Sequence, residues 1–93
     1  MKIIGFIWLE HIIEKLEVKH NVTPEEVIEL FFNKPVIKKM NRGHIRGEDV
    51  YRALSQTDAG RYLVVFFIYK LTNEALILSA RDMDRKERRS YVK

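Results

Sequence analysis

The chain of 93 residues contains no cysteine, which excludes a disulfide-stapled mini-domain, a zinc ribbon or finger and every thiol-based mechanism. Four glycines and two prolines are too few for a collagen-like repeat or a low-complexity linker. The longest apolar runs, Ile3 to Leu9 and Tyr62 to Tyr69, fall well short of the roughly 18 residues that a membrane-spanning helix needs. Met1-Lys2 and the apolar run behind them lead straight into Glu10 with no small-residue cleavage site. No secretory signal is therefore expected, and the reading is a cytoplasmic protein without membrane contact. Three His and the carboxylates are the only metal ligands left, and no paired-His spacing, Gly-rich phosphate loop or nucleophile elbow is visible. Neither a metal nor a cofactor is expected.

What is present is 46% hydrophobic and 32% charged residues, enough to build one small core and predicting one domain over residues 1–93. The formal net charge of +4 is unevenly spread. Residues 1 to 32 carry three basic and six acidic side chains, whereas residues 33 to 46 carry five basic and no acidic ones. Residues 47 to 80 hold three basic and four acidic side chains, and residues 81 to 93 hold six and three. Two basic segments thus flank a mildly acidic body. Either they serve a polyanionic partner, through counterion release from its phosphates, or they are an ordinary solvated surface.

Periodicity places the elements. Met1 to Trp8 reads as a short buried strand interrupted by Gly5. Leu9, Ile12, Ile13 and Leu16 then fall on one face of an amphipathic helix. Thr23-Pro24-Glu25-Glu26 supplies a capping hydroxyl, a proline at the first helical position and a reciprocal carboxylate, with Val22 and Val27 as a hydrophobic staple. That helix runs through Val27, Ile28, Phe31 and Phe32, whose spacing is expected to bury one face, and ends before Pro35. Val36 to Met40 reads as an edge strand guarded by Lys38 and Lys39, followed by a loop from Asn41 to Gly47. Val50 to Thr57 alternates, Asp58-Ala59-Gly60 is a hairpin turn, and Tyr62 to Tyr69 is a central strand covered on both faces. Ala75 to Ala80 forms a further strand, and a helix capped by Asp82 or Asp84 closes the chain. The class is α+β: a small antiparallel β-sheet packed against helices on one side, in the order β-α-α-β-β-β(-β)-α.

The chemistry-bearing residues cluster late. In a helix beyond Arg81, the side chains of Arg85, Arg88 and Arg89 share adjacent faces, and Glu87 sits one turn before Tyr91. Planar guanidinium groups suit phosphate oxygens and the charge of a phosphorane, and a neighbouring Glu or Tyr is able to move a proton. The plainer reading is a solubilised terminal helix. Arg52 on a strand and Arg61 after a turn are further cations, or partners of Glu48, Asp49 or Asp58. His44 lies between Arg42 and Arg46, where cationic neighbours favour its neutral, basic form, or is a surface residue without a role. Trp8, Phe31, Phe32, Phe66 and Phe67 read as core.

Ile77-Leu78-Ser79-Ala80-Arg81, followed by Arg85, Glu87, Arg88, Arg89 and Tyr91, resembles the closing signature of BrnT, the ribonuclease toxin family of BrnT/BrnA type II toxin-antitoxin systems and a relative of the RelE-like small toxins. Lys19-His20 before Thr23-Pro24-Glu25-Glu26, Gly47-Glu48, and Gly60-Arg61 before Leu63-Val64-Val65 support it in the same order. Asn21 and Ser55 stand where the family often has Gly, and Phe6-Ile7-Trp8-Leu9 lacks the acidic residue that often comes directly after the Trp. The resemblance implies a metal-independent endoribonuclease of RelE-like fold in which a ribose 2′-OH attacks the adjacent phosphate. Arg81, Arg85 and Arg88 would then contact phosphate, and Glu87, Tyr91 and His44 would be candidates for proton transfer. Arg52, Arg61, Arg89, Lys38 and Lys39 would be RNA-binding. It also implies a BrnA-like antitoxin that covers the basic surface and carries the complex to operator DNA. The alternative is a non-catalytic basic module that binds nucleic acid or an acidic protein.

Overall fold

The computed structural model describes residues 1–41 and 48–92. In chain order its elements are β1 (Gly5–Ile7), α1 (Glu10–His20), α2 (Pro24–Phe32), β2 (Val36–Asn41), β3 (Val50–Gln56), β4 (Tyr62–Tyr69), β5 (Glu74–Asp82) and α3 (Arg85–Tyr91). The α+β class and the order of elements agree with the sequence reading.

Local chemistry explains the helix ends. Asn21 closes α1 in the left-handed region, at φ 53° and ψ 43°. Its N–H donates to the Glu17 carbonyl, and the Val22 N–H donates to that of Leu16 at 3.1 Å. Asparagine tolerates this conformation better than other residues with a Cβ, which accounts for Asn in place of the expected Gly. The α2 capping box is complete: the Glu26 N–H donates to Thr23 Oγ1 at 3.2 Å, and the Thr23 N–H donates to Glu26 Oε1 at 3.0 Å. Val22 and Val27 are fully buried beside it. Phe32 departs from expectation, being 80% exposed, while Leu30 is buried. Leu30 follows Val27 by three positions and shares its face, whereas Phe32 lies about 200° around the helix from Leu30.

The five strands pair in the order β1-β5-β4-β3-β2. The sheet is mixed, because β1 pairs parallel with β5 through Gly5–Glu74, Phe6–Ala75 and Ile7–Leu76. Residues 8 to 73 separate those strands, so the parallel pair rests on long-range packing that no local pattern encodes. β1 is also an edge strand and only half-buried, rather than a buried one. β2 is the opposite edge, as its lysines suggest. β4 is central, and the β3–β4 hairpin closes with the Gly60 N–H donating to the Thr57 carbonyl at 2.9 Å. Gly60 takes φ 92°, which its missing Cβ permits.

Alternation sorts the side chains onto two faces. Ala53, Leu63, Val65, Phe67, Ala75, Ile77 and Ala80 meet Ile12 and Leu16 of α1 and Val27 and Leu30 of α2 in the core. Buried Ser55 joins this face and donates to the Asn33 carbonyl at 2.6 Å, so a hydroxyl tethers the end of α2 where Gly was expected. A bulge then changes the parity of β5: Phe67 pairs with Ile77 but Phe66 pairs with Ser79, leaving Leu78 as the extra residue. That one-residue slip keeps Ala80 in the core and turns Arg81 to the other face, beside Val64. α3 packs on this second face, so the helices cover both sides of the sheet rather than one. Its length of seven residues leaves Tyr62, Phe66 and Ile68 of β4 only partly covered.

Candidate functional site

The second face carries the arginines. Cross-strand register sets Lys38, Arg52, Phe66 and Ser79 in one row, and Val36, Leu54, Val64 and Arg81 in the next. α3 begins over these rows at Asp84, whose carboxylate accepts from the Glu87 N–H at 2.7 Å while the Asp84 N–H donates to Glu87 Oε1 at 2.9 Å. The capping box therefore turns Glu87 inward, where it is only 8% exposed. Arg81 meets it as a fork, Nη1 donating to Oε1 at 2.7 Å and Nη2 to Oε2 at 3.0 Å. Arg52 Nη1 stands 4.0 Å from Oε2. One buried carboxylate thus holds two guanidinium groups.

The electrostatics follow from these contacts. The Arg81 hydrogen bonds hold the Glu87 carboxyl below the usual carboxylate range against the opposing effect of burial, helped by the Asp84 N–H and by the charges of Arg81 and Arg52. The same bonds push the Arg81 guanidinium up, again against burial. Arg81 also lies over the Phe66 ring, its guanidinium carbon 5.5 Å from the centroid. Arg88 stacks on Tyr62 at 4.1 Å, and Tyr62 meets Tyr91 edge-on at 6.0 Å between centroids. These rings hold cations in place while leaving their outer edges to solvent. Arg52 Nε is buried without a hydrogen-bond partner among the described residues.

The other sequence-derived residues divide. Arg85 and Arg89 are exposed on α3, with no ion pair among the described residues, and Lys38 is exposed beside Arg52. Lys39 is on the opposite face, 3.1 Å from Asp49 and above the Tyr51 ring. His44 and its arginine neighbours lie outside the described residues.

Arg61 is occupied by the protein itself. Its Nε donates to Asp82 at 2.7 Å, its Nη1 to the Asn21 carbonyl at 2.6 Å and to Glu26, and its Nη2 to the His20 carbonyl at 2.8 Å. Asp82 and then Glu26 raise its pKa. This guanidinium ties the α1–α2 connection to the end of β5. The acids near in sequence are engaged elsewhere: Glu48 with Lys70, Asp49 with Lys39, and Asp58 with the Asn33 side chain. From sequence, Phe66 reads as core and Tyr62 is not singled out as a platform. Period-two alternation with Leu63, Val65 and Phe67 is the signal that places both on the arginine face.

A small α+β protein with guanidinium groups fixed on an aromatic-floored face has the equipment of an oxyanion-binding protein. The family model for the ribonuclease toxin BrnT of type II toxin-antitoxin systems matches residues 8–87, and the chain belongs to that family. No curated protein sequence matches it. A type II toxin of this kind has RNA as its target and an antitoxin as its partner. No helix among the described residues is long and apolar enough to cross a membrane.

Proposed function

We propose that this chain is an endoribonuclease that cleaves RNA by internal transfer on the α3 face. The ribose 2′-oxygen bonds to the adjacent phosphorus, the phosphorus–O5′ bond breaks, and the products are a 2′,3′-cyclic phosphate and a 5′-hydroxyl. A base removes the 2′ proton, and an acid protonates the leaving 5′-oxygen. Arg81, with Arg52 at the same carboxylate and Arg88 over Tyr62, stabilises the added negative charge without a metal ion, and exposed Arg85, Arg89 and Lys38 hold flanking phosphates. Glu87 is assigned to positioning: its oxygens already accept from Arg81 and Asp84, and its low proton affinity suits an anchor. Tyr91, near Arg88, and His44 are the remaining candidates for proton transfer. Arg61 is left out of RNA contact because its donors are taken. A BrnA-like antitoxin that also binds operator DNA is the partner on this reading.

The observation that carries the reading is the Arg81–Glu87 fork with Arg52 alongside. Preorganised cations lower a barrier because no reorganisation is required when charge develops. The test is incubation of purified protein with total RNA in excess EDTA, followed by mapping of the cut ends. The wild type should leave cyclic-phosphate and 5′-hydroxyl termini, and a folded Arg81→Ala chain should be slower by about 10² to 10³. An Arg81→Ala chain that is folded and equally active would remove Arg81 from the mechanism. Salt-dependent RNA binding by the wild type with no cut ends would point to the non-catalytic module instead.

A further inference from the structure

The face of the sheet opposite the arginines is incompletely roofed. α1 and α2 cover most of it, but beyond the C-terminal end of α2 a cleft of about 650 Å³ opens between β1 and β2. Phe6, Phe31 and Tyr51 line it, packed on the core around the fully buried Phe67. Phe31 lies 5.2 Å from both Phe6 and Phe67, and Phe67 stacks on Tyr51 at 5.8 Å. At its rim Phe32 is 80% exposed and Ile4 65% exposed. Apolar side chains that stand this far into water beside an open core are the signature of a surface completed by another chain.

The charges select the occupant. Among the described residues no acidic side chain lines the cleft; its Lys39 is paired with Asp49 at 3.1 Å and the Glu74 carboxylate lies beside Gly5, so the free positive charge at the cleft is that of Lys2 and Lys34, which adjoin lining residues in the chain. Lys2 and Lys34 are exposed and make no ion pair among the described residues. A second copy of this chain seated here about a two-fold axis would bring its own lysine-bearing patch against this one. A segment with an apolar stripe and acidic flanks meets no such repulsion.

We propose that the cleft docks an acidic amphipathic segment of the antitoxin, with its apolar side chains over Phe31, Phe32 and Tyr51 and its carboxylates toward Lys34 and Lys2. The existence of that partner rests on family membership; its seat on this face rests on the cleft. β2 carries Lys39 on the cleft side and Lys38 on the arginine face. A segment leaving the cleft over this edge strand therefore reaches the row that contains Arg52. One partner chain is thereby able to anchor on one face and shield the other.

The experiment is calorimetric titration of the purified chain with its cognate antitoxin, at low and moderate salt, for the wild type, Phe32→Glu and Lys34→Glu. Both positions are exposed, and thermal unfolding of each variant verifies the fold. Phe32→Glu should weaken binding at least tenfold, and Lys34→Glu should weaken it less while flattening its salt dependence. Wild-type affinity in folded Phe32→Glu overturns the proposal, as does a wild-type chain that fails to bind the antitoxin. A wild-type chain that self-associates and becomes monomeric on Phe32→Glu overturns it in favour of a second copy. RNA cleavage is followed in parallel: failure of the ribonuclease reading leaves RNA intact in every sample while the affinity difference persists.

Discussion

Replacing Glu87 by Gln tests the central arrangement with almost no change of shape. The carboxylate accepts both Arg81 Nη groups and the Asp84 N–H. The amide keeps one acceptor oxygen, which in the Oε1 place retains the Asp84 N–H cap and the Nη1 arm of the fork, while its NH2 opposes the Arg81 Nη2 N–H. One charge-assisted hydrogen bond is lost, worth about 1.5 to 3 kcal/mol, together with the attraction to Arg52. The cost of about 3 to 5 kcal/mol for orphaning a fully buried charge does not apply, because the Arg81 side chain is 35% exposed and swings into water. The expected destabilisation is thus about 2 kcal/mol, measured by urea unfolding. At roughly 4 to 8 °C per kcal/mol for a domain this small, the melting temperature should fall by 8 to 16 °C. The pH dependence supplies a second readout. The folded Glu87 pKa lies below its unfolded value, so the ion pair stabilises the fold above the ordinary carboxylate range and is lost as pH falls through the folded value. The gap between wild type and Glu87→Gln should therefore close in acid. A double-mutant cycle with Arg81→Ala should return a coupling of about 1 to 2 kcal/mol. A Glu87→Gln chain within about 0.5 kcal/mol of wild type at neutral pH, with no coupling to Arg81, would refute the idea that this carboxylate organises the face.

Arg61→Ala should cost about 3 kcal/mol in urea unfolding, since it strips two carbonyls and two carboxylates of a charged donor; Arg61→Lys should recover less than half, lacking the planar fork. If alanine there is neutral, the clamp is ornamental. Ser55→Ala leaves the Asn33 carbonyl without its hydroxyl donor in a fully buried position and should lower stability by about 1 to 2 kcal/mol; an unchanged midpoint would contradict this. Thr23→Ala removes one half of the α2 capping box, and a loss of about 1 kcal/mol is expected by thermal or denaturant unfolding.

The legible parts of this chain are those whose physics is local. Thr23 to Glu26 and Asp84 to Glu87 each bring a donor and an acceptor together within one helical turn, so spacing alone reveals both caps. Gly60 marks its turn because few other residues accept its φ. The candidate site was half legible. Its residue types stand out as a run of arginines around Glu87, but the burial of Glu87 against Arg81 was not legible, because nothing in spacing tells a solvent-facing carboxylate from a buried one. Phe32 read as core because the apolar run continues through it, although α2 had already turned its buried stripe toward Leu30.

By itself, then, the sequence determined the elements, their caps and turns, the central place of β4, the absence of thiol chemistry and the concentration of cations near the C-terminus. Each follows from interactions between residues close along the chain or from composition. Only the tertiary structure decided that β1 lies parallel to β5, that α3 takes the opposite face from α1 and α2, and that a bulge at Leu78 turns Arg81 out of the core and onto Glu87. It alone brought Arg52 to the same carboxylate, 35 residues away in the chain, and made Arg61 a clamp. Those outcomes depend on strand register and on which faces bury together, and register is a contest among distant pairings that no single segment settles.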